Sequence, residues 1–346
     1  MHSIRDLTRA LTLAAALSVL PTLASAQATV RIAQGVASLS FLPVWGARAL
    51  NTFATEGLTA TVLMSPGGDP AALAALDAGD ADLAAVGTET ALRAVAKGQP
   101  FEIVYNLMSK VTAEVVVAPS FLEKAGVKPG DPLQKRIAAL KDATIGVAAV
   151  GGTQETAARW LAAKGGLDPK TDIKIAQVGG PPALQAALEN KRIDAFVLSP
   201  PEGYLATKSG AGTILISLGD EFPLLANQPY LVLVAKKPID DKVSEVIVKT
   251  VRAMQAASIA MVADPESTAQ AIQKQFFAKA DPAAIVAAVK AMNGGIAGGG
   301  RLDVQSIQNQ LVFSKEVGTN FGRDFDAAAS QNDLWTNSFV ERAAKK

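Results

Sequence analysis

The chain has 346 residues, with 33 Lys and Arg against 32 Asp and Glu, for a formal net charge of +1. That balance, with no basic tail or cluster, gives no electrostatic footprint for a nucleic acid. Cysteine is absent and the one histidine is His2. Disulfides, Ser-His-Asp or Cys-His nucleophilic chemistry and histidine-built metal sites are therefore excluded from the body of the chain, and no cofactor or metal is expected.

Residues 1–26 read as a secretory signal peptide. Arg5 and Arg9 form a positive start, residues 11–20 an apolar stretch too short to span a bilayer, and Ala24-Ser25-Ala26 a small-residue cleavage site. Removing them takes Arg5, Arg9 and Asp6 and leaves equal numbers of acidic and basic residues. No cysteine follows to carry a lipid, and no later apolar run reaches spanning length. The expected product is a free periplasmic protein without a membrane anchor. The sequence contains no G-x-S-x-G, S-x-x-K or G-x-x-x-x-G-K-[ST] motif, so no enzyme is expected.

In chain order, residues 30–33 predict a strand, 35–43 a loop and 45–53 a helix that Gly57 closes. Residues 59–64 form a second strand. Gly67-Gly68-Asp69-Pro70 then reads as a turn opening an Ala/Leu helix, with a third strand ending at Gly87. A helix follows from Thr88 to about Lys97, then strands at 101–107 and 111–118. Residues 122–140 look like charged surface structure.

The order then starts again: a strand at 144–148, a loop at Gly151-Gly152-Thr153, a helix to Lys164 and a strand at 173–175. Gly179-Gly180-Pro181-Pro182 repeats the first turn 112 residues on, and the Ala-Ala-Leu and the later Asp keep the same spacing. Ser199-Pro200-Pro201-Glu202 takes the place of Gly87-Thr88-Glu89-Thr90. A strand at 230–235 precedes a helical C-terminal part, where Asp264-Pro265 and Asp281-Pro282 mark two helix starts. Residues 294–300 read as a flexible connector, and 303–320 and 324–344 as the last two helices.

A strand–helix–strand pattern found twice predicts an α/β fold of two lobes, each a mostly parallel sheet flanked by helices. One lobe is expected from 28–115 plus 231–346 and the other from 119–228. A two-strand hinge is expected near 111–118 and 228–236. Ligands of such sheets sit beyond the carboxyl ends of the strands, and a two-strand hinge allows closure over a small molecule.

These residues resemble a known family. Phe41-Leu42-Pro43-Val44, Phe53-Ala54-Thr55-Glu56-Gly57-Leu58, Gly67-Gly68, Gly79-Asp80-Ala81-Asp82, Val86-Gly87 and the Asp333-to-Phe339 ending are similar to those of periplasmic solute-binding proteins of ABC importers. The branch resembled binds aliphatic sulfonates, nitrate, taurine and thiamine-pyrimidine precursors. The resemblance implies the type II two-lobed periplasmic-binding fold and a small organic solute, sulfonate-like or otherwise polar or aromatic. It also implies a monomer that hands this solute to an ABC permease and its ATPase. The cysteine motif of the pyrimidine-binding members and the histidine of the related synthase are both missing. An enzyme on the same fold, or a sensor for a receptor kinase, is the alternative.

The candidate site is made of loops that open helices, where free N–H groups favour polar or anionic ligand atoms. It comprises Ser38, Leu39, Ser40 and Phe41; Gly68; Gly87 and Thr88; Gly152 and Thr153; Ser199, Pro200 and Glu202; and Tyr230. Glu89, Glu155 and Glu202 fall in first turns, where a carboxylate complements the helix dipole or grips a ligand. Arg48, Arg93 and Arg159 lie deeper along their helices. Trp45, Trp160 and Tyr204 are rings that either line the cleft or pack in the core.

Overall fold

The computed structural model describes residues 28–148, 150, 152–296 and 298–345; the expected signal peptide and Gly151 lie outside them. Ten strands appear among these residues: β1 (Ala28–Gln34), β2 (Leu58–Met64), β3 (Leu83–Gly87), β4 (Phe101–Met108), β5 (Glu114–Val117), β6 (Thr144–Val147), β7 (Lys174–Gln177), β8 (Ala195–Leu198), β9 (Thr213–Ser217) and β10 (Leu231–Lys236). They form two five-stranded sheets, ordered β2-β1-β3-β10-β4 and β7-β6-β8-β5-β9. Each sheet is the core layer of one lobe of an α/β fold.

The two orders match position by position, with β1, β2 and β3, the strands of the first repeat copy's block, standing where β6, β7 and β8 stand in the other. β1 pairs in parallel with β2 and β3, as β6 does with β7 and β8. Helices Asp69–Ala78 and Pro181–Glu189 follow β2 and β7. The fourth strand of each sheet, β10 in one and β5 in the other, runs antiparallel to both neighbours. Those two strands reach their sheets from the opposite lobe.

This corrects the expected boundaries. Residues 114–117 and 231–236 belong to sheets, not to the hinge, and the crossings reduce to 109–113 and 218–230. The crossings bond to each other: Val111 N donates to Leu225 O at 2.9 Å, Gln228 N to Ser109 O at 3.0 Å and Tyr230 N to Met108 O at 2.8 Å.

Each sheet is covered by apolar helix faces. In the first lobe, Leu42, Val44 and Trp45 pack on one face with Val251, Met254 and Met261. Leu73, Leu76, Leu92, Leu334 and Trp335 pack on the other. In the second, Phe196, Ile145, Leu161 and Trp160 share one cluster. Helix Asp241–Ala263, at 23 residues, is long and apolar enough to cross a membrane, which the sequence reading had not anticipated. Its Ile247, Val251, Met254, Ala257 and Met261 are buried in the protein, as expected of a core helix.

The C-terminal part departs from expectation in two places, both at the open edge of β4. The glycine-rich stretch is no loose connector. Asn106 N donates to Gly300 O at 2.9 Å and Ser109 N to Gly295 O at 2.8 Å. The helix expected over 324–344 forms only at Ser338–Ala344. Its earlier part lies along β4, with Ile103 N donating to Leu334 O at 2.8 Å and Thr336 N to Ile103 O at 3.0 Å. An uncovered edge strand exposes unpaired backbone groups, and these bonds outweigh the helical pattern of the segment. The helices after Asp264 and Asp281 do start where expected, each Asp side chain accepting a backbone N–H three residues on.

Gly300 has φ +84°, and a Cβ there would stand 1.9 Å from the Tyr105 ring. Gly300→Ala combines a disfavoured backbone region with overpacking against a buried ring, so it should cost at least about 2 kcal/mol. Urea denaturation checks this; an unchanged midpoint would show that this stretch does not hold the β4 edge.

Candidate functional site

The carboxyl ends of β1, β2 and β3 in one lobe and of β6 and β8 in the other carry the loops predicted to form the site. Ser40, after β1, and Ser199, after β8, meet through Thr112 in the first crossing. Ser40 Oγ lies 2.8 Å from Thr112 Oγ1, which donates to Ser199 Oγ at 3.1 Å, and Ser199 Oγ is 3.2 Å from the Tyr230 hydroxyl. This hydroxyl chain joins both lobes and both crossings. Burial pushes the Tyr230 phenol up, the Ser199 and Thr112 contacts oppose this, and the Asp69 carboxylate adds to it.

The predicted residues divide by what holds them. Leu39 and Phe41 are 0% and 1% exposed and belong to the first lobe's core, not to a lining surface. The hydroxyl of Thr88, 1% exposed, donates to Pro229 O, and its backbone N donates to Tyr230 O at 3.1 Å. Thr88 therefore anchors the second crossing. Pro200 is buried. Ser38, Gly68, Gly87, Gly152, Thr153, Ser199, Glu202 and Tyr230 keep partial or full exposure. Ser40 is sealed beneath this surface by its bond to Thr112.

Glu89 and Glu155 are paired within their own helices, with Arg93 at 2.5 Å and Arg159 at 2.6 Å. Glu89 also accepts from Thr319 Oγ1 at 2.9 Å. The Arg48 guanidinium lies over the Phe276 ring at 4.4 Å. Trp45 packs against Phe276 at 5.1 Å, so it is a core ring. Trp160 sits in the second lobe's core, yet its Nε1 donates to Glu316 Oε2 at 2.8 Å, and Lys164 reaches the same carboxylate at 2.8 Å. Helix Val304–Glu316 thus bridges the lobes away from the hinge. Among the described residues, no group of three or more acidic or histidine side chains could hold a metal.

Three residues of this region escaped sequence reasoning: Thr112, Asp69 and Glu114. Glu114, the first residue of β5, is 4% exposed, and among the described residues its Oε2 has no hydrogen-bond donor. It lines a small cavity with Lys110, Thr112, Tyr204, Asp220 and Met292. Burial, then Asp220 and Glu202, push its carboxyl up to about 8, against the Tyr204 hydroxyl and Lys110. Glu202 is pushed up to about 7, again by burial. The lone polar residue in an otherwise apolar strand, Glu114-Val115-Val116-Val117, was the available signal.

A family model described as the NMT1-like family matches residues 25–276. The chain belongs to the NMT1-like family. A curated relative of this NMT1-like protein, "Putative binding protein YtlA" of Bacillus subtilis (strain 168), is 26% identical over 229 residues. That match covers 66% of this chain and 64% of the relative, so the chain spans a little under two thirds of that protein's length. A solved structure from Bordetella bronchiseptica RB50 superposes with a TM-score of 0.70 at 26% identity, covering 91% of this chain and 96% of that one. Two more distant structures share the fold. The Escherichia coli aliphatic sulphonate binding protein SsuA has a TM-score of 0.63 at 15% identity, covering 84% and 85% of the two chains. The nitrate-binding protein NrtA of Synechocystis PCC 6803 has a TM-score of 0.68 at 16%, covering 92% and 88%. The fold of this NMT1-like protein is that of periplasmic solute-binding proteins.

A carboxyl raised from 4.5 to about 8 binds its proton more tightly in the folded chain than in the unfolded one. Its stabilising contribution is complete below about pH 4.5 and lost as pH rises through about 8. Glu114→Gln keeps the shape without the charge. The melting temperature of wild type should therefore fall below that of E114Q between pH 5 and 9, with the two converging at low pH. Parallel melting curves at all pH values would mean that Glu114 is solvated.

Proposed function

We propose that this chain is the soluble periplasmic receptor of an ABC import system, a monomer that closes two lobes over a small organic solute and delivers it to a permease and its ATPase. The observation that carries this reading is the hydroxyl chain Ser40–Thr112–Ser199–Tyr230. A solute that bonds at Ser199 and Tyr230 and also at the first lobe's Ser38 or Gly87 touches both lobes, so it gains its full set of contacts only when the lobes approach. Differential contact of that kind selects the closed form.

The remaining lining, Ser38, Gly68, Gly87, Gly152, Thr153 and Glu202, supplies backbone and hydroxyl groups and no activated nucleophile. Glu89 and Glu155 are occupied by arginines, and no imidazole or thiol is at hand. Those features support capture over turnover. The leader read in residues 1–26 supplies the export route, and the likeness to SsuA and NrtA supports a transport role.

A thermal-shift screen of purified protein identifies the solute, because a ligand of the native state raises the melting temperature. Bound to it, the protein should contract by small-angle scattering and release the solute unchanged; recovery of a converted product would overturn the reading. Ser199→Ala, which removes the central hydroxyl, should weaken binding by about 1 kcal/mol, roughly fivefold, by calorimetry.

A further inference from the structure

Asp69 is the group around which the first lobe's strand ends are arranged. It opens helix Asp69–Ala78 just after β2. Its Oδ2 accepts from Gly87 N, at the end of β3, at 2.8 Å. On the way it passes Gly35, just after β1, where a Cβ would stand 2.5 Å from Asp69 N and 2.8 Å from Asp69 Oδ1. The carboxylate therefore lies across the ends of three adjacent parallel strands, in the crevice where ligands of such sheets bind. Glycine at 35 leaves the room it needs.

Among the described residues, Oδ1 has no donor, and the side chain keeps partial exposure. Among the described residues, no lysine or arginine pairs with it. Burial holds its carboxyl above the ordinary range, opposed only by the Gly87 bond, and its charge reaches the Tyr230 phenol at the end of the hydroxyl chain. The arginines on the helices facing the crevice are engaged: Arg93 by Glu89, Arg159 by Glu155 and Arg48 over Phe276. Across the crevice, Glu202 adds a second carboxylate raised by burial.

The duplication shows that the turn itself does not require an acid. The second copy places Pro181 where the first has Asp69, and its helix, Pro181–Glu189, forms all the same. The carboxylate is an addition to the motif in one lobe only.

We propose that Asp69 sets the solute class, its free Oδ1 taking the ammonium or amidinium of a small organic cation and disfavouring nitrate and sulfonates. This rests on the crevice being the solute site. A buried carboxylate favours an opposite charge beside it and opposes a like one, so the binding preference follows from the charge alone. The hydroxyls of Ser199 and Tyr230 then take the polar groups at the other end of the solute.

The test uses probes that share a ring and differ in charge: benzylamine and benzamidine, benzyl alcohol, benzenesulfonate, and nitrate as a bare anion. Melting temperature and calorimetric affinity are read on the purified protein and on Asp69→Asn, whose side-chain oxygen still accepts from Gly87 N. The cations should raise the wild-type melting temperature, and D69N should bind them at least tenfold more weakly while its ligand-free melting temperature stays near wild type. Wild-type cation affinity should also rise with pH through the carboxyl's titration, a readout that stands even where D69N fails to fold. Stabilisation by benzenesulfonate or nitrate overturns the charge assignment and leaves the receptor reading in place. Undiminished cation binding by D69N, or a flat pH profile, overturns the role of Asp69. No response to any probe overturns both the assignment and the reading beneath it.

Discussion

The exchange of strands between the lobes is the constraint from which the rest of the molecule follows. β10 completes the sheet of the first lobe and β5 that of the second, each running antiparallel between two strands of a sheet that is otherwise parallel. Neither sheet can be built without the chain passing between the lobes, and each passage ends inside a buried ladder. The crossings are therefore short, bonded to one another, and anchored at both ends by strands that cannot slide without breaking a core. Residues 109–113 and 218–230 carry the chain between the two sheets. The residues placed there acquire functional weight through position, Thr112 and Tyr230 above all.

The sequence made the repeated half legible because repetition acts on local features. A Gly-Gly turn, an Ala/Leu helix and an apolar strand each have their own signature, and finding all three twice at one spacing reveals two equivalent lobes. Strand exchange leaves no such mark. Val115-Val116-Val117 and Leu231-Val232-Leu233-Val234 are continuous apolar runs, and such a run reads alike as a crossing or as the buried middle of a sheet. The segments covering β4 failed for a related reason. Residues 324–337 carry a helical pattern, and glycines at 294, 295 and 298–300 suggest slack, but the unpaired edge of β4 supplies partners that no local pattern contains.

The candidate site was legible at the level of loops and only partly at the level of atoms. Strand ends and helix starts are predictable, so the loops proposed for the site could be named from the sequence. Which side chain turns outward depends on packing. Leu39 and Phe41 fill the first lobe's core, and Thr88 is held by the carbonyl of Pro229; their neighbours Ser38 and Gly87 remain in view. Thr112 is close to Ser199 only because β5 enters the second sheet. Asp69 sits in a turn that the sequence marks only by its glycines and proline, and its reach to Gly35 and Gly87 depends on the sheet order.

The acidic groups of the crevice and hinge share one physical condition. Asp69, Glu114 and Glu202 are all raised chiefly by burial, while the nearby arginines neutralise other carboxylates. Burying acids whose charge is not fully offset costs stability, and among the described residues only Glu114 has a lysine, Lys110, beside it. Asp69 stands on one lobe, Glu202 on the other, and Glu114 beside the crossing that bears Thr112. On the proposed assignment, a cationic solute between the lobes lowers the cost of charge on the first two, and does so most when the lobes are near. Closure and charge compensation are then one event, and the hydroxyl chain between them needs only to orient the guest.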